Sequence, residues 1–208
     1  MVLGVTGGIA SGKTAVAQIF KELGAVVVGA DELAREVVRP GSSTLQKIVE
    51  YFGDRALLAD GTLNRPLLAE LIFNDPQARS ALNRVTHPAI AALAEKRLRQ
   101  AEQAGASLVI YDAPLLYEAG ADRQVDKVLV VAVDEEVQLR RLMARDGVGR
   151  EQALARIAAQ MPLAEKIARA DYVVDNSGSP RETRRQVSAL LERLGHFPGG
   201  PTAPGNAG

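Results

Sequence analysis

Apolar and polar positions along the chain follow two alternating patterns. One is a short β-branched run that is apolar on both faces; the other brings an apolar residue back every three or four positions. The first pattern marks strands at Val2 to Thr6, Val26 to Val28, Leu108 to Tyr111, Val128 to Val133 and Tyr172 to Val174. The second predicts a helix over Thr14 to Leu23, directly after the first strand. Fully apolar strands separated by helix-length sequence suit a parallel sheet buried between helical layers and joined by right-handed crossovers. Between residues 31 and 106 the strand signal disappears. Ser42 to Tyr51, Arg65 to Asn74 and Pro76 to Ala104 read as helices there, punctuated by turns at Pro40-Gly41 and Asp60-Gly61. That stretch is too long for a single crossover, so residues 31–106 are expected to form a helical insertion. Glu135 to Ala168 is helical again, with breaks near Gly147, Gly149 and Pro162. Residues 1–195 thus read as one domain, and the aperiodic, Pro/Gly-rich residues 196–208 as a disordered tail.

Composition narrows the class. The 208 residues are 47% apolar and 24% charged. A chain of this size buries about 70% of its unfolded surface, so it needs neither disulfides nor metal staples. With no cysteine and two histidines, thiolate catalysis and Cys- or His-rich metal sites are excluded, and any metal should be bound by oxygen. The longest apolar runs fall far short of a membrane span, and no basic stretch precedes an apolar segment at the N-terminus. The 25 basic side chains balance 25 acidic ones, which argues against a general nucleic-acid binder. The expectation is a soluble cytoplasmic protein with neither nucleic-acid nor membrane partners. One local imbalance stands out. From Leu139 to Arg169 seven basic residues face three acidic ones, which fits either a solvated helical face or an anion clamp.

The strongest chemical signal lies near the start. Gly7-Gly8-Ile9-Ala10-Ser11-Gly12-Lys13-Thr14 reads Gly, four residues, Gly-Lys-Thr, between a predicted strand and a predicted helix. Such glycines let the backbone wrap around phosphate oxygens, and the amides opening the helix supply partial positive charge. Lys13 then reaches the β- and γ-phosphates and the Thr14 hydroxyl ligates Mg²⁺. This is a nucleoside triphosphate site. Asp31 and Asp112 each follow a predicted strand, and open α/β sheets bind ligands at those carboxyl ends. Two roles suit such acids: one orients or deprotonates an acceptor hydroxyl, the other holds Mg²⁺ through water. Asp31 equally fits an N-cap ahead of Glu32-Leu33-Ala34. Arg141 and Arg145, four apart on a predicted helix, share a face, and the glycine-flanked helical segment around them suits a lid over residues 140–168.

Taken together these segments resemble the dephospho-CoA kinases, which add the 3′-phosphate that completes coenzyme A. The resemblance runs from residue 2 to about residue 194. It rests on Val5 to Lys13, on Ala30-Asp31 with Ala34-Arg35 and Pro40-Gly41, and on Thr86-His87-Pro88 with Ile90. It continues through Asp112-Ala113-Pro114-Leu115-Leu116-Tyr117-Glu118, Arg141 to Asp146, Arg156-Ile157 with Gln160, and Ala170 to Asn176 with Gly178. Gly29 stands where that family often has a second Asp, and Tyr117 where it commonly has Phe. The resemblance implies a nucleoside-monophosphate-kinase-like α/β fold, a three-layer P-loop architecture with a five-stranded parallel sheet, a helical substrate-binding insertion and a lid. It implies ATP held by Gly8, Ala10, Ser11, Gly12, Lys13, Thr14 and Ala15, with Arg141 and Arg145 on phosphates or adenine and Asn176 beside the adenine. Lys13, Asp31 and Arg141 would carry the chemistry, Asp31 as the base for the ribose 3′-hydroxyl, with Mg²⁺ at Thr14 and Asp112. Arg65, His87, Asp112 and Glu118 fall in segments used around dephospho-CoA. For Arg65, His87 and Glu118 contact and scaffold roles both stay open, and His87 before Pro88 also fits a helix cap.

Overall fold

A computed structural model describes residues 1–195; the expected tail, 196–208, lies outside the described residues. Five strands form where the β-branched runs fall: β1 Val2–Gly7, β2 Val26–Gly29, β3 Val109–Asp112, β4 Lys127–Ala132 and β5 Tyr172–Asp175. They make one parallel sheet in the order β2-β3-β1-β4-β5. β1 therefore sits centrally, with β3 on one side and β4 on the other. Nine helices accompany the strands among the described residues. They are α1 Lys13–Glu22, α2 Ala30–Glu36, α3 Ser43–Phe52, α4 Arg65–Asn74, α5 Pro76–Gln103, α6 Glu135–Asp146, α7 Arg150–Ala158, α8 Leu163–Ala168 and α9 Pro180–Arg193.

The described chain divides into two compact units, one built from residues 1–28 with the stretch from Leu98 onward, the other from Gly29–Arg97. In the first, one sheet face is covered by α1 and α9. Leu3 and Val5 of β1, Leu129 and Val131 of β4, Val16 and Phe20 of α1, and Val187, Leu190 and Leu191 of α9 make a continuous core. Each such side chain contributes about 1.5–3 kcal/mol by leaving water. On the other face α8 packs against β4. Its Lys166 is completely buried and donates from Nζ to the Pro114 carbonyl at 3.1 Å while pairing with Glu118 at 2.8 Å. Thr6 donates to the same carbonyl at 3.0 Å, which fixes the turn after β3 to the underside of β1.

The second unit has its own small core of Val38, Ile48, Phe52, Ala56, Leu68 and Ala78. Its helices start on recognisable caps. Ser42 accepts from the Leu45 amide at 3.1 Å to open α3, and Asn64 accepts from the Leu67 amide at 3.3 Å to open α4. Two local expectations are corrected here. Asp31 is not an N-cap: α2 starts at Ala30 with Gly29 in the cap position, and Asp31 lies in the first turn. Nor does His87 cap a helix, because α5 runs straight through Pro88. Proline removes one N–H from the ladder; just ahead of it, the Thr86 hydroxyl donates to the Leu82 carbonyl at 2.9 Å. No described helix is long and apolar enough to cross a membrane.

Two stability measurements test this packing. The Tyr117 ring is buried under the Arg169 guanidinium, 4.1 Å from its centroid, yet its hydroxyl has no partner among the described residues. Tyr117→Phe removes an unpaired buried hydroxyl and keeps the ring, so it should leave stability unchanged or raise it by about 1 kcal/mol in urea unfolding. Asp171 accepts from Lys127 Nζ at 2.7 Å and from the Val128 amide at 2.8 Å, and these bonds, Lys127 first, hold its carboxyl below the ordinary aspartate range. A lowered folded-state pKa means the stabilisation is complete above the unfolded value and is lost as pH falls through the folded one. The unfolding difference between wild type and Asp171→Asn should stay constant from roughly pH 7 to 5 and shrink below about pH 4.

Candidate functional site

Strand order and register decide which residues meet. Connections leave β1 toward β2 on one side and reach β4 on the other, so the chain reverses direction across the sheet at β1, and ligands bind where such a reversal opens a crevice. The pairing places Val5 opposite Asp112, Gly7 opposite Val131 and Ala132 opposite Asp175. Consequently the Gly8 to Gly12 loop, Asp112 and the Asn176 loop all lie at the carboxyl edge of the sheet, at the ends of β1, β3 and β5.

At that edge α1 begins on Gly12, whose φ of 85° is left-handed and whose lack of a side chain leaves the helix without a side-chain cap. The first amides of a helix lack i−4 partners within it; here the Ala15 amide bonds the Gly12 carbonyl at 2.9 Å, and those of Gly12, Lys13 and Thr14, with the helix dipole, suit an anion. Lys13 and Asp112 form an ion pair, with side chains 13% and 16% exposed. The ammonium is thus parked on a carboxylate at the place where phosphate oxygens would arrive.

The loop itself is tied down from behind. Asn176 is buried and donates from Nδ2 to the Ser11 carbonyl at 2.7 Å, while its Oδ1 accepts from the Thr183 hydroxyl at 2.8 Å. A Cβ on Gly12 would stand 2.0 Å from Asn176 Nδ2, so this position must be glycine for space as well as for φ. Arg141, from α6, donates to the Asn176 carbonyl at 2.9 Å. Gly12, Ala15, Ile19, Arg141, Asn176 and Pro180 line a cavity of about 280 Å³ beside the loop. Its mixture of one guanidinium and short apolar walls suits a flat heterocycle next to the phosphate cradle.

The expected site residues separate into groups. Gly8, Ala10, Ser11, Gly12, Lys13, Thr14, Ala15, Asp112, Arg141 and Asn176 come together at one sheet edge. Arg145 does not line the cavity: it donates to Asp146 at 2.7 Å, and Arg156 pairs with the same carboxylate. Most of the basic surplus between Leu139 and Arg169 is likewise paired, Arg150 with Glu136 and Arg169 with Asp122. Arg141 is the member that reaches the cavity. Glu118 holds Lys166 and accepts from the Met161 amide at 3.2 Å. Asp31, Arg65 and His87 belong to the second unit, all exposed: Asp31 in the first turn of α2, Arg65 opening α4, His87 within α5. Among the described residues no three His, Cys, Asp or Glu side chains gather as a metal cage. Reading the sequence missed Gln138, Lys166 and Thr183, and assigned Gln160 no role. For Thr183 a local signal existed, since Ser179-Pro180 with Glu182 spells the start of α9; for the other three no local pattern distinguishes them from surface polar residues.

Comparison with known proteins bears on all of this. A family model described as dephospho-CoA kinase matches residues 1–182. A dephospho-CoA kinase of Syntrophotalea carbinolica is 58% identical over 212 residues, covering 100% of each chain. One of Geobacter sulfurreducens is 51% identical, over 91% of this chain and 96% of that one. Among solved structures, the dephospho-CoA kinase from Campylobacter jejuni superposes with a TM-score of 0.72 at 28% identity, covering 93% of this chain and 96% of the other.

The Asn176 tie is directly testable. Asn176→Ala strands the Ser11 carbonyl and leaves the Thr183 hydroxyl only the Ser179 carbonyl at 3.3 Å, so it should cost about 1–3 kcal/mol in urea unfolding, with weaker binding of adenine nucleotide by calorimetry. Asn176→Asp keeps the acceptor for Thr183 but sets a buried carboxylate oxygen against the Ser11 carbonyl, so at neutral pH its unfolding cost should be at least as large.

Proposed function

The chain belongs to the dephospho-CoA kinase family, an ATP-using transferase that phosphorylates the 3′-hydroxyl of dephospho-CoA to give coenzyme A, and we propose how its own residues carry that reaction. The observation that carries the proposal is the uncapped start of α1 behind Gly12, flanked by Lys13 on Asp112. The amides of Gly12, Lys13 and Thr14, with the loop from Gly8 through Ser11, cradle the polyphosphate, and the Ala15 amide, which donates to the Gly12 carbonyl at 2.9 Å, joins them on exchanging that acceptor. Lys13 exchanges the Asp112 carboxylate for β- and γ-phosphate oxygens. The adenine takes the cavity between Arg141 and the Asn176 loop.

Mg²⁺ fits the donors present. Thr14 offers an exposed hydroxyl in the first turn of α1, and Asp112, once released by Lys13, a carboxylate at the end of β3. These two oxygens leave most of an octahedral shell to phosphate and water, the usual arrangement for this ion. When bound, Mg²⁺ neutralises charge on the transferring phosphoryl group.

Asp31 is the base. It lies three residues past Val28 of β2, in the first turn of α2. The 3′-oxygen of dephospho-CoA attacks the γ-phosphorus, the bond from that phosphorus to the β,γ-bridging oxygen breaks, ADP leaves, and the hydroxyl proton passes to the Asp31 carboxylate. Arg65, His87 and Glu118 are the candidate contacts to the acceptor, and Arg145 becomes a phosphate ligand on leaving Asp146. The reaction draws on cellular ATP, which supports a cytoplasmic setting.

Because the transition state is loose, positioning and charge neutralisation outweigh proton removal. With ATP, Mg²⁺ and dephospho-CoA the product should gain one phosphate by mass spectrometry. Asp31→Asn should lower kcat about 10²- to 10⁴-fold, and Lys13→Ala should lower it further. Wild-type turnover by Asp31→Asn would remove Asp31 from the mechanism. ATP hydrolysis without acceptor should stay near background.

A further inference from the structure

Ile9, the third residue of the P-loop, is held through both of its main-chain polar groups by side chains distant in sequence. Its amide donates to Gln160 Oε1 at 2.7 Å, and its carbonyl accepts from Gln138 Nε2 at 2.8 Å. These two bonds fix which end of each side-chain amide faces the loop, because an N–H needs an oxygen and a carbonyl needs an N–H. Gln138 is 4% exposed and lies so close to the loop that a Cβ on Gly8 would stand 2.5 Å from its Nε2.

The two glutamines mark the two ends of one element. Gln138 sits in the first turns of α6, and Gln160 follows the end of α7. Everything between them forms the α6–α7 hairpin that carries Arg141, Arg145 and Arg156. The same hairpin supplies an apolar seat for the loop: Ile9 and Ala10 pack against the buried cluster of Leu139, Leu142 and Ala153, as do Met143 and Ile157. Ala10 needs that support, since its φ of 58° is in the left-handed region that a residue with a Cβ adopts only under strain. Both feet of the arginine-bearing hairpin are therefore clipped to one residue of the phosphate cradle.

We infer that Gln138 and Gln160 are positioning residues for phosphoryl transfer: by gripping Ile9 they hold the cradle in its phosphate-ready shape and register the Arg141 helix against it. The inference rests on the proposed phosphate site but concerns groups that touch neither substrate. Its signature is selectivity. Loosening the clip weakens nucleotide binding and leaves acceptor binding alone, whereas a merely structural role would lower both together.

The test uses the full chain with Gln160→Leu and Gln138→Leu, which keep bulk and remove the hydrogen bond. Affinity for a non-hydrolysable ATP analogue with Mg²⁺ is read by calorimetry, KM and kcat by turnover, and exchange of the Ile9 amide proton by NMR. We expect each variant to bind the analogue about tenfold more weakly, with the KM for dephospho-CoA within about twofold of wild type, and the Ile9 amide to exchange faster in Gln160→Leu. If Gln160→Leu fails to fold, Gln160→Ala decides, since the smaller side chain lets water satisfy the Ile9 amide. Nucleotide affinity within twofold of wild type in both variants overturns the inference. So does a parallel loss of nucleotide affinity, acceptor affinity and melting temperature. Should wild type bind the analogue without phosphorylating dephospho-CoA, the functional reading falls, while the binding arm still decides the clip.

Discussion

A helix that starts on glycine has nothing of its own to offer its first amides. In this chain that deficit is placed where the central strand ends, and much of the surrounding structure answers it. Gly12 has no side chain to cap α1, and although the Ala15 amide turns back to the Gly12 carbonyl at 2.9 Å, the amides of Gly12, Lys13 and Thr14 remain as a donor set. Such a set is useful only if the loop before it keeps its shape without a ligand. That requirement accounts for the density of side-chain bonds behind the loop: Asn176 on the Ser11 carbonyl, Gln138 and Gln160 on the two sides of Ile9. The donors facing the phosphate are left open, and those facing the protein are tied. Preorganisation of this kind moves the cost of ordering the cradle from the binding step to folding.

What could be read from the sequence follows the range of the interactions concerned. The P-loop was legible because its chemistry is written in consecutive residues, and the five strands because each is a β-branched run bounded by helix-length segments. The three breaks in the lid region fell at Gly147, Gly149 and Pro162, as local backbone preference requires. Where local rules competed with packing they failed. His87 before Pro88 also reads as a helix cap, yet α5 continues through the proline, as the helical span Pro76 to Ala104 has it. Asp31 reads as a cap, yet α2 starts directly from β2 with no turn to cap. The supporting residues were not legible at all. Gln160 reaches a partner 151 positions away and Gln138 one 129 positions away, and nothing near either residue in the chain announces that choice.

The arginines of α6 and α7 show how a composition signal thins out in three dimensions. As sequence, the surplus between Leu139 and Arg169 reads as a broad positive face. In the structure Arg145 and Arg156 share Asp146, and Arg169 spans Asp122 and the Tyr117 ring. Exposed pairs of this kind contribute little to stability. They also leave guanidinium groups free to change partner when a more strongly charged anion arrives. Arg141 differs: it is half-buried and bonded to a neutral carbonyl, so it keeps its full charge at the edge of the cavity.

The pairing of Lys13 with Asp112 follows the same logic of exchange. A lysine left alone at a half-buried sheet edge would carry a desolvation cost with no opposing charge, and the aspartate likewise. Paired, each neutralises the other, and the register that sets Asp112 level with Val5 makes the contact available at the end of β3. The pair cannot be strongly favourable overall, because desolvating two ions offsets most of their attraction. That near-balance is what a phosphate site requires. In the proposed reaction a polyphosphate would take the ammonium from Asp112 by replacing one negative partner with several, and the freed carboxylate would be a hard oxygen donor at the end of β3. On that proposal one side-chain movement would serve both the cation that grips the nucleotide and the acid that suits a divalent ion.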